Sequence, residues 1–490
     1  MLRVLLLLPL AGALLVGLLP RKRPDLLWRV AFATAMATLL LAWGQIANFD
    51  IGSADIQFFE THTWNPRLGS AFSLGVDGLS FALVLLATLL IVVALLAFRV
   101  PDRGAKLYYV LLLMLETAAL GVFMARDWSL FYVFWEMTLI PLFFLIERLG
   151  GAQRQRAALN FVLYTMGGSV FMLVALLLLY DAAPGHSFDM LSMATGGGSL
   201  ATDKQVLIFL GLFIGFAVKM GVFPLHGWMP LVYAEAPAAV TLISSGILLK
   251  MGAYGILRAV TTLPGAAIAL QQSLTILAFV SLLYGALLAW KSRNLVVMAA
   301  YASISHMAVV LLGTATLNAT GITGAALQML GHGLAAGLLF LLLGLLAERL
   351  GSRELVAFEG LLHRAPRFAG LLILALVGSI GLPGTIGFIS ELQVMAGGYA
   401  RWGGAIALLS VAVLIGAAYC LRVTNVVIST RAKPDTKPDP APIADLGHAE
   451  AVAAGILLTG MFGLGFFPMP LLELLGQTAA AMGRLFGGMA

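Results

Sequence analysis

The sequence predicts an all-α polytopic membrane protein of about fourteen transmembrane helices, built as two inverted five-helix repeats with broken helices at spans seven and twelve. Three observations predict it. Of 490 residues, 61% are hydrophobic and only 11% charged, whereas about a quarter are charged in soluble domains. Apolar runs of about 20 residues, long enough to cross roughly 30 Å of hydrocarbon as a helix, recur along the whole chain. Basic residues crowd into every second connection between those runs.

In order, the runs cover 2 to 19, 26 to 48, 72 to 98, 105 to 125, 128 to 146, 158 to 180, 205 to 224 and 238 to 260. They continue over 267 to 290, 295 to 313, 321 to 347, 366 to 397 with a break, 403 to 430 and 449 to 471. The first is not read as a cleavable signal, because Arg21, Lys22 and Arg23 follow its apolar run instead of preceding it. Two connections are distinctive: ATGGGSLATDKQ (194 to 205) reads as a flexible outer loop, and RAKPDTKPDPAP (431 to 442) as a Pro-rich inner linker. The expected organisation is a three-helix segment over 1 to 104, repeats over 105 to 260 and 267 to 430, and a linker with a last helix over 431 to 490.

One set of loops carries Arg21, Lys22, Arg23, Arg99, Arg103, Lys106, Arg148, Arg154, Arg156, Lys291 and Arg293, then Arg349, Arg353, Arg364, Arg367, Arg422, Arg431, Lys433 and Lys437. The other side holds only Arg3, Arg67, Arg126, Lys204, Arg258, Arg401 and Arg484, with Asp50, Asp55 and Glu60. The positive-inside rule then puts both termini on the outer side of a bacterial inner membrane. The formal charge of +6 comes from these loops, so no nucleic-acid partner is needed to explain it. The single cysteine, Cys420, leaves no set for an iron–sulfur cluster or a disulfide framework. There is no GxGxxG fingerprint and no Walker loop, so no cofactor is expected in this chain.

What remains inside the spans is chemistry. Glu136 stands in span five, Lys219 late in span seven, Lys250 in span eight, His306 in span ten, His332 in span eleven and Glu391 after the break in span twelve. Glu116 in span four is a further candidate. A charge at membrane depth costs about 2.5 to 3.5 kcal/mol on insertion scales, so the default reading is an interior group on an ion path. The structural alternatives are snorkelling for Lys219, a buried ion pair for Glu136 and Lys250, and helix packing for the histidines. Pro224 follows Lys219, and Gly381, Pro383, Gly384 and Gly387 precede Glu391. Broken helix is tolerated at depth only inside protein or beside water. Breaks five spans apart have opposite orientation, the arrangement of inverted repeats.

FYVFWEMTLIPLFFLI, FPLHGWMPLVYAEAP with ISSGILLKMGAYGILR, AYASISHMAVVLLG and GLPGTIGFISE together resemble the antiporter-like membrane subunits of respiratory complex I, and most of all the M-type chain, chain 4. The resemblance runs from about the third span to the thirteenth. It implies fourteen helices, two inverted repeats, and proton transfer by Glu136, Lys219, Lys250, His306, His332 and Glu391. It also implies other antiporter-like chains as neighbours, with NADH, FMN, iron–sulfur clusters and quinone handled by partner subunits. Two departures stand out. The family's PDAH is replaced by Pro230, Leu231, Val232, Tyr233, and its acid and Lys-Arg pair by Asn294, Leu295, Val296, Val297.

Mechanistically, desolvation disfavours the charged form of a buried group and an opposite charge restores it. Pairing Glu136 with Lys219 would hold the lysine's proton, and separating them would push that proton toward Lys250 and on to His332 and Glu391. One proton moved against 100 mV costs about 2.3 kcal/mol, within the range of one desolvated pair. A cation/proton antiporter or an inorganic-carbon uptake subunit would use the same path. An assembly spacer that conducts nothing would give no reason for the central charges.

Overall fold

Several helices begin where a side chain satisfies their first N–H groups, which hydrocarbon cannot do. The computed structural model describes residues 1–100, 104–429 and 443–487. It opens with α1 (Leu2–Leu18) and α2 (Pro24–Trp43), then a hairpin of β1 (Gln57–Asn65) and β2 (Ser70–Val76). Next come α3 (Gly78–Ala97), α4 (Ala105–Met124), α5 (Trp128–Met137) and α6 (Leu139–Leu149). They are followed by α7 (Arg154–Ala182), α8 (Met190–Ser199), α9 (Thr202–Met220) and α10 (Met229–Glu235). After these, α11 (Ala238–Ile243) runs through a π-helical turn at Ser244–Leu248 into α12 (Leu249–Thr262). The second half holds α13 (Pro264–Ala269), α14 (Gln271–Lys291), α15 (Leu295–Ala315), α16 (Ala319–Leu350), the short α17 (Leu361–Arg364), α18 (Pro366–Ile380), α19 (Ile386–Trp402) and α20 (Leu408–Ile428). The chain ends in α21 (His448–Phe466) and α22 (Met469–Arg484).

Side-chain caps mark the starts. Asp77 and Ser80 form a reciprocal capping box on α3. Asp127, Asn294, Asn318 and Thr385 cap α5, α15, α16 and α19. Eleven helices among the described residues are long and apolar enough to cross a membrane. The α11–α12 unit, α16, α3, α4 and α15 form the buried centre, while α2, α7, α14 and α21 keep broad apolar faces exposed.

Hydrogen bonds tie the loops into two faces. On the basic face, Lys106 reaches the Leu19 carbonyl, Arg422 the Ser292 carbonyl, and Arg353 the Ala234 carbonyl. On the opposite, hairpin face, Glu60 takes Arg3 and the N-terminal amine, Asp127 accepts from the Ala71 amide, and Arg401 binds Gln271. Loops grouped by charge in the sequence are thus grouped in space.

Three boundaries differ from expectation. Residues 72 to 76 of the third run belong to β2, because the register Thr61↔Ser73 and Thr63↔Ala71 pairs them with β1 before Asp77 starts the helix. The loop at 194 to 205 is instead mostly helical: 194 to 199 end α8, capped by Asp189, with Gly196 and Gly197 seated against Ala182 and Leu179, where a Cβ would not fit, and 202 to 205 begin α9. The last run ends at Phe466, and α22 follows. The Pro-rich linker at 431 to 442, with Arg431, Lys433 and Lys437, lies outside the described residues, as does Arg103.

Candidate functional site

Both expected breaks are present. The first follows Lys219: α9 ends at Met220, and Gly221 turns to φ 82°, the left-handed region that favours glycine. Span five is broken as well, between α5 and α6 at Thr138. Pro141 lacks the N–H that would bond the Met137 carbonyl, so the ladder is interrupted there. Lys219 is 1% exposed. Its ammonium donates to Thr138 Oγ1 at 2.8 Å and to the Trp135 carbonyl at 3.2 Å, and it sits 3.8 Å from the Trp135 ring centroid. A desolvated cation over an indole gains about 2 kcal/mol, which offsets part of the burial cost.

The Glu136–Lys219 contact pair expected from the sequence is not formed. The ammonium is taken by Thr138 and Trp135 instead, and Glu136, half-buried, has its Oε1 without a hydrogen-bond partner among the described residues. The two charges still act on each other through the low-dielectric interior. Beyond Lys219 lies an aromatic wall, with Trp135 against Phe216 at 5.4 Å and Phe131 against Phe216 at 6.0 Å.

The second cluster is continuous. The π-helical turn at Ser244–Leu248 frees the Ser245 carbonyl, which accepts from Lys250 Nζ at 2.6 Å. The same nitrogen is 2.5 Å from His332 Nδ1. Gly246 lets this turn pack closely on Leu90, because a Cβ there would meet the Leu90 side chain at 2.4 Å. The His332 ring stands 5.6 Å from that of His306. His306 Nδ1 is 3.5 Å from Gln328 Nε2 and 4.0 Å from Glu391 Oε1. Gln328 Oε1 in turn accepts from Ser390.

At the second break, α18 ends at Ile380, Gly381 adopts φ 75° and Gly384 φ 95° before Thr385 caps α19. The Glu391 carboxylate lies over Gly381, 3.0 Å from where a Cβ would stand. Two cavities of about 20 Å³ meet here, both bounded by His306, Ser379 and Glu391. One is closed by His332 and Gln328, the other by Tyr419 and Ser305. Each has room for about one water. The Nε2 atoms of His306 and His332 are buried without a protein partner among the described residues.

The structure therefore brings Lys250, His332, His306 and Glu391 into one row and sets Glu136 and Lys219 apart from it. Glu116 is 1% exposed, and neither of its carboxyl oxygens has a partner among the described residues. Sequence reasoning missed Trp135, Thr138, Ser245, Gln328, Ser390 and Tyr419. Gln328 carried a signal, since it precedes His332 by one helical turn on the same face. A second polar group, on the hairpin face, fixes the far end of α12: Arg258 donates to Asp77 at 2.5 Å, with Arg126 4.0 Å away. Burial alone would raise the Asp77 carboxyl, but Arg258 and Arg126 outweigh it and hold it down at about 2. Among the described residues, no three His, Cys, Asp or Glu side chains converge in a way that could hold a metal ion.

A family model described as "NADH:quinone oxidoreductase/Mrp antiporter, TM" matches residues 125–416, a stretch that contains all six candidate residues. The chain is 37% identical to an NAD(P)H-quinone oxidoreductase chain 4 of Thermosynechococcus vestitus, covering 99% of this chain and 92% of that one. It is also 37% identical to the chain 4 protein of Synechococcus sp. strain JA-3-3Ab over 95% of this chain and 90% of that one. A chain of respiratory complex I from Thermus thermophilus superposes with a TM-score of 0.90 at 30% identity, covering all of both chains. A chain of the Mrp complex from Dietzia sp. DQ12-45-1b superposes with a TM-score of 0.85 at 23% identity over 98% of this chain and 97% of that one, a likeness of fold.

Proposed function

Because the chain belongs to the NADH:quinone oxidoreductase/Mrp antiporter transmembrane family, we propose that it moves protons across the bilayer along its buried Glu, Lys and His side chains. It is an M-type, chain 4 antiporter-like membrane subunit of a complex I quinone oxidoreductase. Electrons pass through partner subunits carrying the nucleotide, FMN, iron–sulfur and quinone sites, and neighbouring membrane chains contact this one. The observation that carries the proton reading is the Lys250–His332 contact at 2.5 Å, continued by His306 and Glu391 around space for water.

In this reading, Lys250 gives a proton from Nζ to His332 Nδ1. His332 releases its other ring proton from Nε2 to cavity water, and His306 and Glu391 pass it on. Lys219 is the gate charge: held by Thr138 and Trp135, it keeps or yields its proton according to how closely Glu136 approaches. Taking Pro366–Ile380 with Ile386–Trp402 as one broken span and Leu408–Ile428 as the next, and counting Leu2–Leu18 and Thr202–Met220 with the other long spans, supports a reading of fourteen. The paired breaks after Lys219 and before Glu391 support inverted repeats over 105 to 260 and 267 to 430. The basic face is the cytoplasmic face of a bacterial inner membrane, and both termini lie outside.

The test is the purified complex in liposomes, with quinone reduction and lumen acidification measured together. Lys219→Ala should leave assembly intact and lower the protons moved per electron pair at least several-fold. Parent stoichiometry in that variant would refute the role. Transport that requires sodium and no electron donor would favour the cation/proton antiporter reading, for which the Mrp likeness supplies the fold alone.

A further inference from the structure

On the basic face a vestibule of about 530 Å³ opens between Glu235, Thr241, Asn294, Glu348 and Arg353, with Tyr233 and Phe340 at its floor. Phe340 bounds this vestibule on one side and the central cavity of His332 and Glu391 on the other. Along α16, the residues facing this route descend from Glu348 through Gly344 to Phe340, then through Ala336 and Ala335 to His332. From Phe340 to His332 is two helical turns, about 12 Å. Small side chains flank the route both above and below one large ring. Phe340 is 2% exposed and meets Tyr233 edge to face at 5.3 Å and 88°. The Tyr233 hydroxyl faces Ser245 without closing a hydrogen bond. Ser245 belongs to the turn whose carbonyl holds Lys250.

We infer that Phe340 and the Tyr233 ring form a hydrophobic gate between the vestibule and the central Lys250–His332 pair. Water crosses this gate transiently to bring protons from the basic face, with Glu348 gathering them at the mouth and the Tyr233 hydroxyl handing them toward Ser245. A constriction of apolar rings excludes a continuous water file until a side chain moves. The inference rests on the proton-carrying reading above, so its test separates the two.

In the whole complex, in a Cys420→Ala background, Ala336→Cys places a thiol just below the gate. A small water-soluble methanethiosulfonate added from the basic face should label it slowly with Phe340 in place. With Phe340→Ala, labelling should be at least tenfold faster, and Phe340→Trp should restore slow labelling. Equal labelling in all three would overturn the gate. Tyr233→Phe keeps the ring and removes the hydroxyl, so labelling should stay slow while protons pumped per turnover fall about threefold or more. Unchanged pumping in Tyr233→Phe would overturn the hydroxyl's part. If Phe340→Ala speeds labelling while Lys250→Ala pumps like the parent, the gate stands and the proton reading falls.

Discussion

The two broken helices put their charges into opposite surroundings. After the first break, Lys219 is surrounded by a hydroxyl, a carbonyl and an indole face, with an aromatic wall beyond. After the second, Glu391 faces His306 across 4.0 Å, with space for water on both sides. A break frees backbone groups and admits a bend, but the neighbours decide what the charge beside it can do. In the first region neutral, dry partners hold a charge where it is. In the second, titratable partners stand a few ångströms apart with room for water beside them, the arrangement that in the proposed function would let a proton leave.

The comparison can be broken most sharply at Lys250. Lys250→Ala removes the donor to His332, and proton translocation by the reconstituted complex should fall at least tenfold while the subunit still assembles. If the row from His332 to Glu391 worked without Lys250, the contrast between holding and passing regions would collapse. Gly381→Ala is next: a side chain at φ 75° is strained, and its Cβ would stand 3.0 Å from the Glu391 carboxylate. It should cost about 1 to 2 kcal/mol of stability and lower translocation several-fold, read from thermal unfolding and pumping in the same preparation. Thr138→Val then probes the holding region by removing a neutral acceptor at constant shape. About 1 kcal/mol of hold on Lys219 is lost, and coupling should change about fivefold with quinone reduction retained. An unchanged coupling ratio would show that Thr138 does not set the lysine's readiness.

The smallest effect on transport is expected at Asp77, which fixes the end of α12 through Arg258. Its folded carboxyl is held at about 2, below the unfolded value of about 3.9, so its contribution is fully present above about pH 4 and is lost as pH falls toward 2. Asp77→Asn should lower the unfolding midpoint at pH 7 by an amount on the order of 2 kcal/mol in stability. That gap should narrow by about pH 3, and pumping per turnover should change little.

Much of the candidate site could be read in the sequence because membrane-buried charge is rare and costly, so Glu136, Lys219, Lys250, His306, His332 and Glu391 stand out against apolar runs. The breaks were legible for a similar reason, since proline and clustered glycines inside a span have few other uses. Partners were harder to find. Thr138, Ser245, Gln328 and Ser390 are unremarkable residue types, and their roles arise from a carbonyl freed at a π-helical turn or a neighbour on another helix. The start of α3 was misjudged because Phe72, Leu74 and Val76 look as apolar in a strand as in a helix, and only pairing with β1 distinguishes them. The Gly-rich stretch ending at Ser199 reads as flexible, but Gly196 and Gly197 let α8 pack tightly.

By itself the sequence determined the class, the two faces and the ionisable residues, because lipid imposes length, hydrogen-bond closure and charge asymmetry on every span. Tertiary structure alone decided which of those charges meet. Lys250 touches His332 across 82 residues of chain because α11 and the π-helical turn that lead into α12 are packed on α16 at the centre, whereas Glu136, next to Trp135 and two residues before Thr138, is left out of contact with Lys219. Hydropathy can require that a charge be buried, but only packing chooses its neighbour.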